Sequence, residues 1–174
     1  MFQVNDVIVY GTQGVCRIIG TEEKVMSGIK RCYYILKPVN EKGATIYAPT
    51  DNAHVLAKMR KLLTVEQIHG LIDSMPEESA SWIENESDRK ELYKQALTRG
   101  DHLELIRMIK AIYAQKKERE AMGKHLRMTD ERFFKDAEQI LYDEFQYVLE
   151  LQSKEDLLSY MIDRVERSED CKEK

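Results

Sequence analysis

Between Val4 and Pro49 the apolar positions fall in short runs rich in β-branched and aromatic residues. Val7-Ile-Val-Tyr10, Val15-Cys-Arg-Ile-Ile19, Arg31-Cys-Tyr-Tyr-Ile-Leu-Lys37 and Thr45-Ile-Tyr-Ala48 each read as a strand. The segments Gly11-Thr-Gln-Gly14, Ser27-Gly28 and Asn40-Glu-Lys-Gly43 supply the turns, and Pro38 and Pro49 stand at strand ends, where a missing N–H costs least. About fifty residues arranged this way predict a small, strongly bent barrel, because an open sheet of that size leaves edges unprotected. After Asp51 the spacing changes to that of helices. Thr64 with Gln67 reads as a capping box, Pro76 breaks the chain, and Ser81 with Glu84 is a second capping box, opening a helix that runs to Gly100. Asp101 caps the next helix, whose stripe is Leu103, Ile106, Ile109 and Tyr113. Thr129 starts a third, with Phe134, Ala137, Leu141, Phe145 and Val148 inward, and Ser153 begins a last one carrying Leu157, Met161 and Val165. The expected class is α+β by segregation, with a β-barrel over residues 1–53 and a compact all-α domain over residues 54–174.

Composition narrows the chemistry. No apolar run approaches the ~20 residues that span a bilayer, and the opening residues are neither a signal nor a transit peptide, so no membrane contact and a cytoplasmic address are expected. Cys16, Cys32 and Cys171 form no paired motif, and His54, His69, His102 and His125 are scattered. Neither a metal nor a cofactor is expected. Gly11 to Gly14 is too short for a phosphate-cradling loop and lacks its Lys-Ser/Thr ending. With no nucleophile elbow and no triad context, no catalytic residue is assigned, and the chain is not expected to be an enzyme.

The net charge of −4 argues against indiscriminate coating of nucleic acid, but it hides a polarity. From Arg107 to Lys135 nine basic residues face four acidic ones, whereas from Asp136 to Lys174 five basic residues face twelve acidic ones. Such a stripe is either a solvated helix surface or a phosphate-facing one followed by an acidic end.

The run Val4-Asn-Asp-Val-Ile-Val-Tyr-Gly-Thr-Gln-Gly-Val-Cys-Arg-Ile18 resembles the opening of the CarD family of bacterial transcription regulators. The likeness continues in order through Tyr33-Tyr-Ile-Leu36, Ile46-Tyr-Ala-Pro49, Trp82, Arg99-Gly-Asp101 and Ala137-Glu-Gln-Ile-Leu141. A similar head occurs in the transcription-repair coupling factor, but the helical body and the lack of helicase motifs resemble the CarD type. The resemblance implies a Tudor/SH3-like barrel that grips the β subunit of RNA polymerase, with Lys24, Ile46 and Tyr47 at the contact, Tyr47 standing where some relatives have arginine. It also implies a helical domain on promoter DNA, with Trp82 wedged into the minor groove at the upstream bubble edge so as to modulate open-complex stability. Arg89, Lys90, Arg107 and Lys110 are the candidates for phosphate contacts. Glu84, Glu86 and Asp88 beside the wedge oppose phosphate, so DNA binding by the chain alone is expected to be weak. The competing reading is a protein–protein adaptor on polymerase that touches no DNA. Nothing in the pattern specifies an oligomeric state.

Overall fold

The structure is a computed structural model that describes residues 2–26, 28–40 and 45–172. Most of the Asn40 to Gly43 turn, and Ser27 of the Ser27-Gly28 turn, lie outside the described residues. The chain divides into two compact units, Met1–Leu62 and Leu63–Lys174.

In the first unit the β-branched runs pair as antiparallel strands: β1 (Val7–Tyr10), β2 (Val15–Met26), β3 (Ile29–Pro38), β4 (Ile46–Pro49) and β5 (Met59–Lys61), in the sheet order β4-β3-β2-β1-β5. A four-residue helix, α1 (Ala53–Leu56), precedes β5, with Asn52 accepting from the backbone N–H groups of His54 and Val55. The β2–β3 hairpin turns through Gly28 at φ 77°, a conformation that glycine adopts at little cost. A register shift between Ile18 and Gly20 marks a bulge in β2. Ile8, Cys16, Ile18, Tyr34, Leu36, Ala48 and Met59 form the core of this unit.

Two expectations are corrected. The sheet does not close: among the described residues β4 and β5 are opposite edges that do not pair, so the architecture is an open five-stranded sheet rather than a barrel. The edges are protected by brevity instead, four residues ending in Pro49 on one side and three carrying Arg60 and Lys61 on the other. The first unit also continues past residue 53, because Met59-Arg-Lys61 pairs with β1, Met59 opposite Tyr10.

The second unit is helical: α2 (Val65–Ser74), α3 (Glu86–Arg99), α4 (His102–Ala121), α5 (Met128–Val148) and α6 (Lys154–Lys172). The Thr64–Gln67 capping box is present, Gly100 ends α3 at φ 65°, and Asp101 caps α4 by accepting from the Glu104 N–H. The helix expected from Ser81 begins later. Asn85 is its cap, and residues 81–85 are irregular. The reason is Arg89, whose Nη1 donates to the carbonyls of Ile83 at 2.7 Å and Glu84 at 3.4 Å.

Two apolar clusters fill this unit. One joins α3, α4 and α5 through Tyr93, Leu97, Leu105, Met108, Ile112, Phe133 and Ile140, and the other joins α2, α5 and α6 through Ile68, Ile72, Leu141, Phe145, Leu157 and Met161. Fully buried Glu144 accepts from the Leu63 N–H at 2.9 Å and meets His102 Nε2 at 2.8 Å, tying the entry of the unit and the start of α4 to α5. Among the described residues no helix is long and apolar enough to cross a membrane.

Candidate functional site

Two of the three candidate positions of the head, Lys24 and Tyr47, lie on one face of the sheet. Directly paired residues of an antiparallel ladder share a face. Ile35 opposes Tyr47 and Arg31 opposes Lys24, so Lys24, Arg31, Tyr33, Ile35 and Tyr47 all lie on the side away from the Tyr34–Leu36–Ala48 core. There the Lys24 ammonium stands 3.4 Å from the centre of the Tyr47 ring, with Glu22 at 3.5 Å, and Tyr33 meets Tyr47 edge to face at 6.5 Å. The contact with Tyr47, and then the charge of Glu22, hold the Lys24 pKa above its ordinary value. The pair remains open to solvent, Lys24 at 33% and Tyr47 at 41%.

Ile46 does not join them. It is opposite Leu36 and packs against the core, on the other face. The ladder separates the backbones as well. The Thr50 N–H donates to the Cys32 carbonyl, so by alternation Ala48 and Ile46 bond to β3, while the N–H and C=O of Tyr47 face outward along the free edge.

In the second unit the candidates divide by what already holds them. Trp82 lies in the irregular segment before α3, half-buried against the α3–α4–α5 cluster, with the Arg89 guanidinium 4.2 Å from its ring centre. Arg89 is 2% exposed and forms a two-point bridge to buried Asp130, Nε to Oδ1 at 3.0 Å and Nη2 to Oδ2 at 3.1 Å. With Nη1 committed to Ile83 and Glu84 as well and the whole side chain buried, Arg89 is held inside the fold and not at the surface, contrary to its expected place among the phosphate contacts. Lys110 is also occupied: its ammonium donates to the carbonyls of Met75 at 2.7 Å and Glu78 at 2.5 Å, neutralising the exposed carbonyl end of α2. Arg107 bonds Glu78 at 2.7 Å, and Lys90 bonds Glu86 within its own helix, both near the surface. Glu86 also bonds Arg127, so one of the acids near Trp82 is held between two cations.

The free cations are elsewhere. Among the described residues Lys116, Lys124 and Lys135 make no ion pair, and they belong to the C-terminal part of α4, the following turn and the N-terminal part of α5. Lys116 and Lys135 line one groove with Lys154, and Tyr113, Met122 and Met128 are exposed on the same stretch of chain. The charge count from Arg107 to Lys135 carried the signal for this corner. What it could not carry is which cations are spoken for, since Asp130 and Glu78 lie 41 and 29 residues from their partners.

The buried phenol of Tyr93 stands in the cluster beside the Arg89–Asp130 bridge, and burial pushes its pKa up to about 12, with Arg89 opposing and Asp130 reinforcing the shift. Among the described residues no three His, Cys, Asp or Glu side chains come together as metal ligands do.

Residues 2–63 match the family model of the CarD-like/TRCF RID domain. No curated protein matches the chain.

Proposed function

We propose that this chain, CarD-like through the RNA polymerase-interacting domain of residues 2–63, is a non-enzymatic transcription regulator of the bacterial cytoplasm. It docks on the β subunit of polymerase through its head and lays its helical unit on promoter DNA near the upstream edge of the bubble. The observation that carries the reading is the solvent-open Lys24–Tyr47 pair beside the outward-facing backbone of Tyr47, within a domain of this kind. A partner strand laid along β4 gains main-chain hydrogen bonds there, and the pair supplies a cation and an aromatic face for its side chains.

On the helical unit Trp82 acts as the wedge. One ring face is backed by Arg89, which is itself held by Asp130, so the indole is presented by a rigid support. Phosphate contacts fall to the α4–α5 corner, Lys116, Lys124 and Lys135, with Lys90 and Arg107 on the flank, whereas Arg89 and Lys110 serve the fold. Affinity comes mainly from polymerase, since net charge −4 and the acidic end of the chain disfavour free DNA.

The test uses the full chain with polymerase and a promoter fragment. Protection at the upstream bubble edge is expected only when all three are present. Lys116→Glu with Lys135→Glu is expected to weaken the complex and to flatten its salt dependence by roughly one unit per lost phosphate contact. An unchanged salt slope and no protection would leave the chain as an adaptor that touches polymerase alone.

A further inference from the structure

A cavity of about 260 Å³ opens between α3, α4 and the segment 79–83. Its walls are apolar, with Ile83, Leu92, the Tyr93 ring and Met108 around a floor where Ala96 of α3 and Ala111 of α4 leave room. Being smaller than the ~300 Å³ at which drug-sized sites begin, it fits a single flat ring system. Its polar rim holds Glu104, Arg99 and Arg107. Glu104 Oε1 takes the Arg99 guanidinium at 3.1 Å, but Glu104 Oε2 is buried with no hydrogen-bond partner. A carboxylate oxygen left that way calls for a donor. Ser81 and Ile83, the residues on either side of Trp82, both line this cavity.

We infer that the cavity receives an unpaired nucleobase bearing an exocyclic amine, cytosine or adenine, beside the step that Trp82 opens. This rests on the reading of Trp82 as a wedge. An aliphatic or phenyl side chain fits the walls equally well but leaves Glu104 Oε2 unpaired, whereas an amino-substituted base brings flat faces for Ile83, Leu92 and Met108 and an N–H for the carboxylate. Arg99 and Arg107 at the rim stand where a sugar-phosphate leaves the pocket. A base already unpaired in a bubble is the least costly to draw into such a site. Holding it there gives a way to oppose reannealing that a wedge alone lacks.

The probe is deoxycytidine at millimolar concentration, added to the full chain with NMR-visible isoleucine and methionine methyl groups. The expected result is saturable movement of the Ile83 and Met108 methyl signals. N4,N4-dimethyldeoxycytidine, which has lost both amine hydrogens, is expected to bind about tenfold more weakly, and Glu104→Gln to weaken deoxycytidine by a similar factor. Ala111→Leu, which fills the floor, is expected to abolish the response, and Glu104→Gln keeps the test valid if the larger side chain disturbs α4. The inference is overturned if deoxycytidine gives no saturable shift at these methyls, if the dimethyl analogue binds as well, or if indole fills the cavity while deoxycytidine does not. Neither polymerase nor promoter enters the assay, so its failure is distinct from failure of the promoter reading, which the footprint judges.

Discussion

Lys24 over Tyr47 and Arg89 over Trp82 pair a cation with an aromatic face in the same way, and they are held in opposite ways. The first pair lies on an open sheet face, with Glu22 as a loose neighbour and both side chains partly in water. The second has its guanidinium sealed by Asp130 and two backbone carbonyls, leaving the indole as the only part with a wet side. An exposed cation keeps its hydration and can exchange it for a partner, whereas a buried one must have its charge answered within the fold. The difference leaves the head pair open to a partner and makes the Arg89 pair part of the fold, although each places a cation against an aromatic ring.

The largest expected effect breaks the support. Asp130→Ala strands the Arg89 guanidinium in the core and is expected to cost about 3–5 kcal/mol in urea unfolding of the helical unit, while Arg89→Met with Asp130→Leu restores most of it. A loss near zero for Asp130→Ala would mean that the bridge is solvated and that the contrast fails. Trp82→Ala comes next at about 1–2 kcal/mol, between the 3–5 of a fully packed tryptophan and the near-zero of an exposed one, because one ring face rests on Arg89 and the cluster. Open promoter complexes should be shorter-lived with this variant by more than the stability loss explains.

Alkali tests both apolar clusters of the helical unit by a different route. Tyr93 and Tyr142 have native pKa values pushed up to about 12 from 10.0, burial being the first cause in each case. Between those values the unfolded chain has released protons that the native chain retains, so stability is fully present below pH 10 and falls as the pH rises towards 12. The expected loss is on the order of 1–2 kcal/mol per ring after solvent screening, and Tyr93→Phe and Tyr142→Phe should each flatten part of that limb in denaturation series above pH 10. The smallest effect on folding belongs to the head. Lys24→Glu should leave the melting curve in place yet reduce capture of polymerase, with a defect that shrinks as salt is added. A shifted melting curve with undiminished capture would make the Lys24–Tyr47 pair structural after all.

Strand and helix were legible wherever local chemistry decides them. The β-branched runs of β1 to β4, the Thr64–Gln67 box, Gly100 at a left-handed position and the Asp101 cap all act within a few residues. β5 was not legible, since Met59-Arg-Lys61 has no alternation of its own and is a strand only because β1 offers it an edge. The closure expected of the sheet failed for a related reason: protecting edges is a general need, and short edge strands meet it as well as a barrel does. Among the candidate residues, Lys24 and Tyr47 came together because they sit with matched parity on β2 and β4, the two strands that flank β3, and the same parity sent Ile46 to the core. Arg89 and Lys110 read as free cations because their partners, Asp130 and the Met75 and Glu78 carbonyls, are remote in sequence and brought near only by packing.

Pro49 has a bearing on how copies of this protein behave in a crowded solution. Opposite Tyr33, it lies at a position where the strand's backbone faces outward, so an incoming strand that pairs with Tyr47 meets a carbonyl next and no N–H. The template thus ends after one complete pair of bonds. That is too little for two identical edges to zip together into a continued sheet, and enough for a segment whose side chains also fit the Tyr47 and Lys24 face. A single imino acid keeps the edge available for selective docking while withholding the repeating ladder on which fibrils grow.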